Sequence, residues 1–344
     1  MNLSPDNEDF VKQIHGAGGT AMEQFIGDHI LEAFQRKSAG DIGLEQLDDG
    51  ATVELPDGQN LVLTTDSHLV KPLFFPGGDI GRLAVCGTVN DLAVMGAHPL
   101  ALTSSLVVEE GFPFSRLDRI LNSMNVALEE AEVPLVTGDT KVMGQGEIDG
   151  IVINTAGLGL APDPISDAGM SSGDRILVTG SVGDHGMALM QHREGFSFSS
   201  ELASDMAPLN GLLDEVQQVG GITAMKDPTR GGLANALNEM ASKSGHGIIV
   251  EESSIPIKEA VKGVSDLLGI SPLEVANEGV AVIAIRAEKA SAALRSLRRH
   301  ALGENAEIIG RVQDEWPGKV VAETEVGGKR YLESPLGDPI PRIC

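Results

Sequence analysis

The chain has 344 residues, 42% of them hydrophobic, which is enough for two domains with cores of their own. Its formal net charge of −25 argues against a general binder of nucleic acid or anionic membrane, because such binders need a surplus of Lys and Arg. No apolar run reaches the roughly 18 residues of a membrane-spanning helix, no leader pattern is visible near Met1, and two cysteines, Cys86 and Cys344, form no disulfide scaffold and fit a reducing cytosol. With 42 glycines and 3% aromatics, the glycine excess points to ligand loops lined by backbone rather than to disorder.

Taken in chain order, residues 1–40 hold a glycine-rich loop, His15–Thr20, that precedes a helical pattern. Amide N–H groups of such a loop, Gly18 and Gly19 among them, can cradle phosphate, with the helix dipole behind them. No Gly-Lys-Ser/Thr follows, so it is not a Walker A loop, and the same pattern fits an ordinary surface loop. A β-rich run, Asn60–Thr65, ends at Asp66. Asp79–Ala97 has helical spacing, with Leu83, Leu92 and Met95 in compatible positions, and encloses Cys86 as a small buried thiol. Ala101–Val108 reads as a strand. Ser115 with Asp118 gives a capping signal for a helix that runs to Glu132, and Ile151–Leu160 reads as a strand buried on at least one face.

Ala161–Gly173 is rich in Pro, Ser and Gly and divides the chain. Beyond it, strands are predicted at Arg175–Thr179, Ile222–Met225, Gly247–Glu251, Val280–Ile285 and Ala306–Val312. Helices are predicted at His185–Arg193, Leu212–Val219, Gly232–Ser242, Ile257–Leu268 and Ala287–His300. This alternation predicts a layered α/β domain. Glu333–Cys344 carries Pro335, Pro339 and Pro341, so it extends neither a helix nor a central strand. It reads as a mobile tail with a reach of roughly 37 Å in polyproline II. The expected division is residues 1–40, a domain over 41–162, a domain over 173–332, and a tail over 333–344.

Acidic residues beside turns and strand ends carry the chemical signal: Asp48, Asp49, Asp66, Asn90 with Asp91, Asp139 and Asp227. Hard carboxylate oxygens suit Mg²⁺, which binds through a few carboxylates plus substrate phosphates. Asp91 sits inside an apolar helical stretch, where an unpaired carboxylate is costly. Taken singly, each of these also fits a helix or turn cap. Lys141, after Asp139 and Thr140, could neutralise phosphate charge or act as a base, or be a surface lysine. His68, His98 and His185 match no zinc spacing.

Cys344 is the last residue of the sequence and lies outside any prenylation box. A free thiol there is a liability unless used. On a tether it reads as a carrier nucleophile, with Arg342 modestly favouring the thiolate; an accidental terminal cysteine is the other reading.

The segments HGAGG (15–19), TTDS (64–67), PLFFPGGDIGRLAVCGTVNDLAVMGA (72–97), VTGDTKV (136–142), GDHGMA (183–188), DPTRGG (227–232), ANEG (276–279) and PRIC (341–344) occur in order along nearly the whole chain. In them the chain resembles the HypE family, the carbamoyl dehydratases of nickel–iron hydrogenase maturation, within the superfamily of aminoimidazole ribonucleotide synthetase and selenophosphate synthetase. No cysteine lies near the N-terminal glycine loop, where selenophosphate synthetases carry their reactive residue. The resemblance implies a two-domain α/β (α+β) fold whose N-terminal domains pair in a homodimer, with ATP bound near that interface. It implies ATP contacts at Gly18, Gly19, Asn90, Asp91, Asp139, Thr140 and Asp227. Mg²⁺ would lie among Asp48, Asp49, Asp66, Asp91 and Asp227. It further implies catalytic roles for Cys344, Lys141 and Glu278. A carbamoyltransferase, HypF, would load the thiol of Cys344. ATP would drive dehydration to a thiocyanate, and the cyano group would pass to iron on a HypC–HypD complex. Val280, where members often carry Lys, and Ala17, where Ser is common, depart from the pattern. Another ATP-dependent enzyme of the superfamily acting on a free small molecule, and a non-catalytic ATP-gated scaffold, are the competing readings.

Overall fold

The computed structural model describes residues 10–195, 202–337, 339–340 and 343. After a short helix α1 (Gly19–Phe25), the first domain is built from β1 (Ala51–Glu54), β2 (Asn60–His68), β3 (Phe74–Phe75), β4 (Gly78–Asp79), α2 (Ile80–Val94), β5 (His98–Glu109), α3 (Phe114–Ala131), β6 (Leu135–Met143) and β7 (Ile151–Ala161). Five of these strands form one sheet in the order β1-β2-β7-β5-β6. Among these five strands β5 and β6 pair in parallel, joined through α3, as a parallel connection requires, and the other neighbours are antiparallel. Along β7, buried and half-buried residues alternate without a break, the period-2 signature of a sheet with one face on a core.

Helix α2 is apolar almost all round and nearly every residue of it is buried, so it lies inside the molecule rather than on its surface. Asp79 caps it, accepting from the N–H groups of Gly81 at 2.9 Å and Arg82 at 3.2 Å. Gly81 is required, because a Cβ there would strike the carbonyl of Ile120 in α3. Helix α3 starts at Phe114 with Pro113 in the capping position, so Ser115 falls inside the first turn and no side chain caps the helix. Proline's fixed φ organises that start without the expected serine.

The second domain contains β8 (Arg175–Val178), α4 (Asp184–Glu194), α5 (Asn210–Gln217), β9 (Ile222–Lys226), α6 (Gly232–Ser244), β10 (Gly247–Glu251), α7 (Glu259–Leu268), β11 (Val282–Ile285), α8 (Ala287–Leu297), β12 (Glu307–Gln313), β13 (Val320–Glu323) and β14 (Lys329–Tyr331). Its seven strands run β14-β13-β10-β12-β8-β11-β9, mostly antiparallel. The two domains share cores. Ala93 and Val94 of α2 pack with Leu209, Leu212 and Leu213, and a larger cluster joins Leu83 and Ile120 to Met187 and Leu189 of α4.

The same cluster takes in Ile340 and Ile343, each at most 3% exposed. Ile340 and Ile343 of the tail are therefore seated against the molecule, while Leu336 is exposed. Prolines exclude helix and strand but do not prevent two isoleucines from being buried. Among the described residues no helix is long and apolar enough to cross a membrane.

Candidate active site

A cleft of about 1140 Å³ opens between the domains. One wall carries Asp48, Asp49 and Thr65 of the first domain. The other carries Lys226, Asp227 and Arg230, from the end of β9 and the turn into α6. Gly18 and Gly19 lie along it, and Glu333 and Ser334, where the tail begins, line it as well.

Carboxylates gather at and beneath this cleft. Asp49 pairs with Lys226 at 2.7 Å, and the same ammonium reaches Glu239 at 3.2 Å and Asp167 at 3.4 Å. Asp167 is held in turn by Lys243 at 2.6 Å. Ser166 donates to Asp48 at 2.7 Å, and the Asp167 N–H donates to the same oxygen at 3.2 Å. Asp91 projects from buried α2 to within 2.8 Å of the Thr64 hydroxyl. Burial pushes its carboxyl well above the usual range, and Asp227, Asp66 and Asp49 push it further. Asp227 is raised for the same reasons, burial first and then Asp49, with Lys226 pulling the other way. One of its oxygens is buried without a partner. Burial brings Asp49 up to about 6 against the pull of Lys226.

Glu278 continues the cluster inward. It is 2% exposed, its Oε1 has no hydrogen-bond partner, and burial followed by Asp227, Asp205 and Asp66 drives its carboxyl well upward. Its N–H donates to Asp205 at 3.1 Å, and burial brings Asp205 up to about 7. Such a set can hold a proton near neutrality or accept a hard cation. Among the described residues no group of three or more His, Cys, Asp or Glu is arranged to hold a metal by itself.

The predicted residues divide into those the fold assembles and those it does not. Asp48, Asp49, Asp66, Asp91, Asp227 and Glu278 converge in space or in mutual electrostatic influence. Asn90 does not face the cleft. It is 1% exposed; its amide donates to the carbonyls of Ala207 and Glu278, both at 3.1 Å, and its oxygen accepts from Leu209 at 2.8 Å. That is a domain-joining role, since all three partners lie in the second domain. Gly18 and Gly19 have φ of +70° and +66°, but the amides that follow them donate to the tail, Thr20 to Pro335 at 3.3 Å and Ala21 to Leu336 at 3.2 Å. A Cβ on Gly19 would collide with the Pro335 carbonyl. The Thr20 and Ala21 amides of the loop thus hold main-chain carbonyls of the tail, while Gly18 and Gly19 line the cleft.

Asp139, Thr140 and Lys141 lie on β6, all exposed, with Lys141 and Asp139 paired at 3.0 Å. That pairing holds the Asp139 carboxyl below the usual range. β6 is three strand spacings from β2, roughly 14 Å, so one chain does not bring these residues to the cleft. Cys344 lies outside the described residues. Ile343 before it is described, and its carbonyl is 3.1 Å from Nε2 of His185. Val280 is buried in the second domain's core, so the family's lysine would have no solvent there.

Sequence reasoning misses Lys226, Asp167, Glu239, Lys243 and Asp205. Only Lys226, next to the DPTRGG segment, sits where a motif could have flagged it.

Comparison with known proteins agrees with this architecture. Residues 47–161 match the N-terminal domain of AIR synthase related proteins, and residues 171–323 match their C-terminal domain. The chain is 45% identical over 333 residues to the carbamoyl dehydratase HypE of Cupriavidus necator, covering 96% of this chain and 93% of that one. It is similar to the structure of HypE in complex with ATP, with a TM-score of 0.81, 40% identity, and coverage of 96% of this chain and 98% of that one. It is also similar to HypE in the HypE–HypF complex, with a TM-score of 0.84, 43% identity, and coverage of 90% and 99%. The shared two-domain architecture and this level of identity over nearly the full length together place the chain in the AIR synthase related proteins, within the HypE family of carbamoyl dehydratases.

Proposed function

We propose that this chain performs the ATP-dependent dehydration of a carbamoyl group carried on the Cys344 thiol, giving a thiocyanate that supplies cyanide to the iron of a nickel–iron hydrogenase. The observation that carries this reading is the seated tail. Ile343 is anchored at His185, and His185, Ser204 and Asp205 lead from there to the backbone of Glu278.

Turning R–S–C(=O)–NH₂ into R–S–C≡N means removing an oxygen, and hydroxide is a poor leaving group. Phosphorylation of that oxygen makes it depart as phosphate, while two N–H protons must be taken away. Glu278 suits proton removal: it is buried, its Oε1 is unpartnered, and its proton affinity is raised. Asp66, Asp91 and Asp227 would hold Mg²⁺ together with the nucleotide's phosphates; the orphaned buried oxygen of Asp227 fits a hard ion. A bound Mg²⁺ supplies charge neutralisation at the transferring phosphoryl group. Lys226 and Arg230 add fixed positive charge along the same wall.

Lys141 joins the site only if a second copy supplies it. β6 is a nine-residue edge strand, fully exposed along its length, with Val136 and Val142 exposed on it, which suits pairing with another chain. We infer a homodimer formed near this edge, a carbamoyltransferase of the HypF kind as donor, a HypC–HypD complex as acceptor, and a cytoplasmic location.

The test is intact mass after incubation with carbamoyl phosphate, ATP and the transferase. A carbamoyl adduct that loses one water in the wild type and never forms on Cys344→Ala is the expected result. An adduct that forms and loses water without Cys344 overturns the reading. Survival of ATP-dependent turnover on a free small molecule after tail deletion would favour another enzyme of the superfamily.

A further inference from the structure

We infer that His185 and Ser204 form a latch that fixes the peptide ahead of Cys344 in the seated position, His185 acting as a positioning residue. The inference rests on the carrier reading for its purpose, but its geometry stands apart from it.

His185, at the start of α4, is fully buried. Its Nε2 is 3.1 Å from the Ile343 carbonyl and its Nδ1 is 2.8 Å from Ser204 Oγ. A carbonyl only accepts, so Nε2 carries the proton and Nδ1 is the acceptor. Ser204 must then donate its O–H to Nδ1, and its oxygen accepts from the Met206 N–H at 3.2 Å. Every polar atom in the chain Met206, Ser204, His185, Ile343 thus has a defined role, with one direction throughout. Phe75 packs against the imidazole edge-on, with ring centroids 5.6 Å apart. Burial without a carboxylate partner lowers its pKa to about 4, so the ring stays neutral and the relay intact near neutral pH. Ile340 and Ile343, both buried, supply adhesion, and the directional hydrogen bond from His185 to the Ile343 carbonyl fixes the register there.

Neither His185 nor Ser204 caps α4, whose N-cap is Gly183 with no side-chain hydrogen bond. The latch also gives the tail a defined point of release: breaking the His185 bond to Ile343 loosens the segment next to Cys344.

Carboxypeptidase Y digestion of the full-length protein, read as mass loss of Cys344, reports unseating. His185→Leu keeps the volume but strands the Ile343 carbonyl, and should speed release about 5- to 100-fold. Ser204→Ala should speed it several-fold, and His185→Gln, which can donate and accept in the same places, should restore most of the retention. In a single-turnover dehydration assay the rate should fall in the same order while ATP affinity is unchanged. Release from folded His185→Leu at the wild-type rate overturns the latch; if that variant does not fold, wild-type release from Ser204→Ala does so. If the wild type never dehydrates a carbamoyl group, the carrier reading falls, and the release rates still decide the latch.

Discussion

Lys226 offers the sharpest test of how the two domains are held. It is 8% exposed and joins Asp49 of the first domain, Asp167 of the connecting segment and Glu239 of α6. At an effective dielectric of about 20, an ion pair at this distance is worth about 6 kcal/mol before desolvation. Breaking a buried pair by removing one partner costs about 3–5 kcal/mol net. Lys226→Met keeps most of the volume, so the loss should be electrostatic, amounting to about 10 °C in Tm at 2–4 °C per kcal/mol. The sign with pH follows from Asp49. Its folded pKa, already about 6 with Lys226 present, lies above the unfolded value of 3.8. Without the lysine it moves higher, so the folded variant binds a proton that the unfolded chain releases. Lowering pH through that window must stabilise the variant. Differential scanning fluorimetry at pH 8 and pH 5.5 should therefore show a large loss at the higher pH and a smaller one at the lower. Adding Asp49→Asn should recover part of the loss at pH 8. Equal losses at both pH values would mean that packing, not charge, is at stake, and a loss under about 1 kcal/mol would refute the network as a domain tie.

Asp205→Asn should stabilise the protein at pH 8 by up to a few kcal/mol, by less at pH 5, and not at all only below the unfolded value of 3.8. Its folded pKa of about 7 exceeds the unfolded 3.8, so the cost of the ionised form grows as pH rises through that interval and is complete above it. Thermal unfolding across pH reads this directly, and no gain at pH 8 would mean the carboxylate is compensated. Glu278→Gln should keep ATP affinity by calorimetry and slow dehydration by about 10²- to 10⁴-fold in single turnover. Equal loss of both would make Glu278 a nucleotide-site or structural residue. Gly19→Ala should unseat the tail's first half, since φ is +66° and a Cβ meets the Pro335 carbonyl. Faster proteolysis within residues 333–337 is the measure, and an unchanged rate would show that the loop does not hold the tail.

Local pattern carried much of the architecture. The period-2 alternation of Ile151–Ala161, the apolar run of Ile80–Val94 with Asp79 before it, and the strand–helix alternation after Arg175 are short-range consequences of sterics and burial, and they are written in consecutive residues. The tandem Asp48–Asp49, Asp66, Asp91 and Asp227 were likewise visible, because carboxylates beside turns and inside an apolar helix stand out from their neighbours. β6 was not: with every residue exposed it has no buried face, so no alternation marks it as a strand. Nor could local pattern tell that Asn90 spends itself on Ala207, Glu278 and Leu209, or that Lys226 gathers three acids from three regions of the chain.

The tail shows the division most plainly. Three prolines state what the segment cannot become, a constraint set by φ and a missing N–H within single residues. Where it goes depends on Ile340 finding the surface beside Gly186 and on the Ile343 carbonyl finding His185, more than 150 residues away along the chain. Residue types and their local order settle which elements form and which side chains carry chemistry. Only the packed tertiary structure settles which of those side chains meet, because the charges, hydrogen bonds and buried surfaces that make a site are set by distance in space.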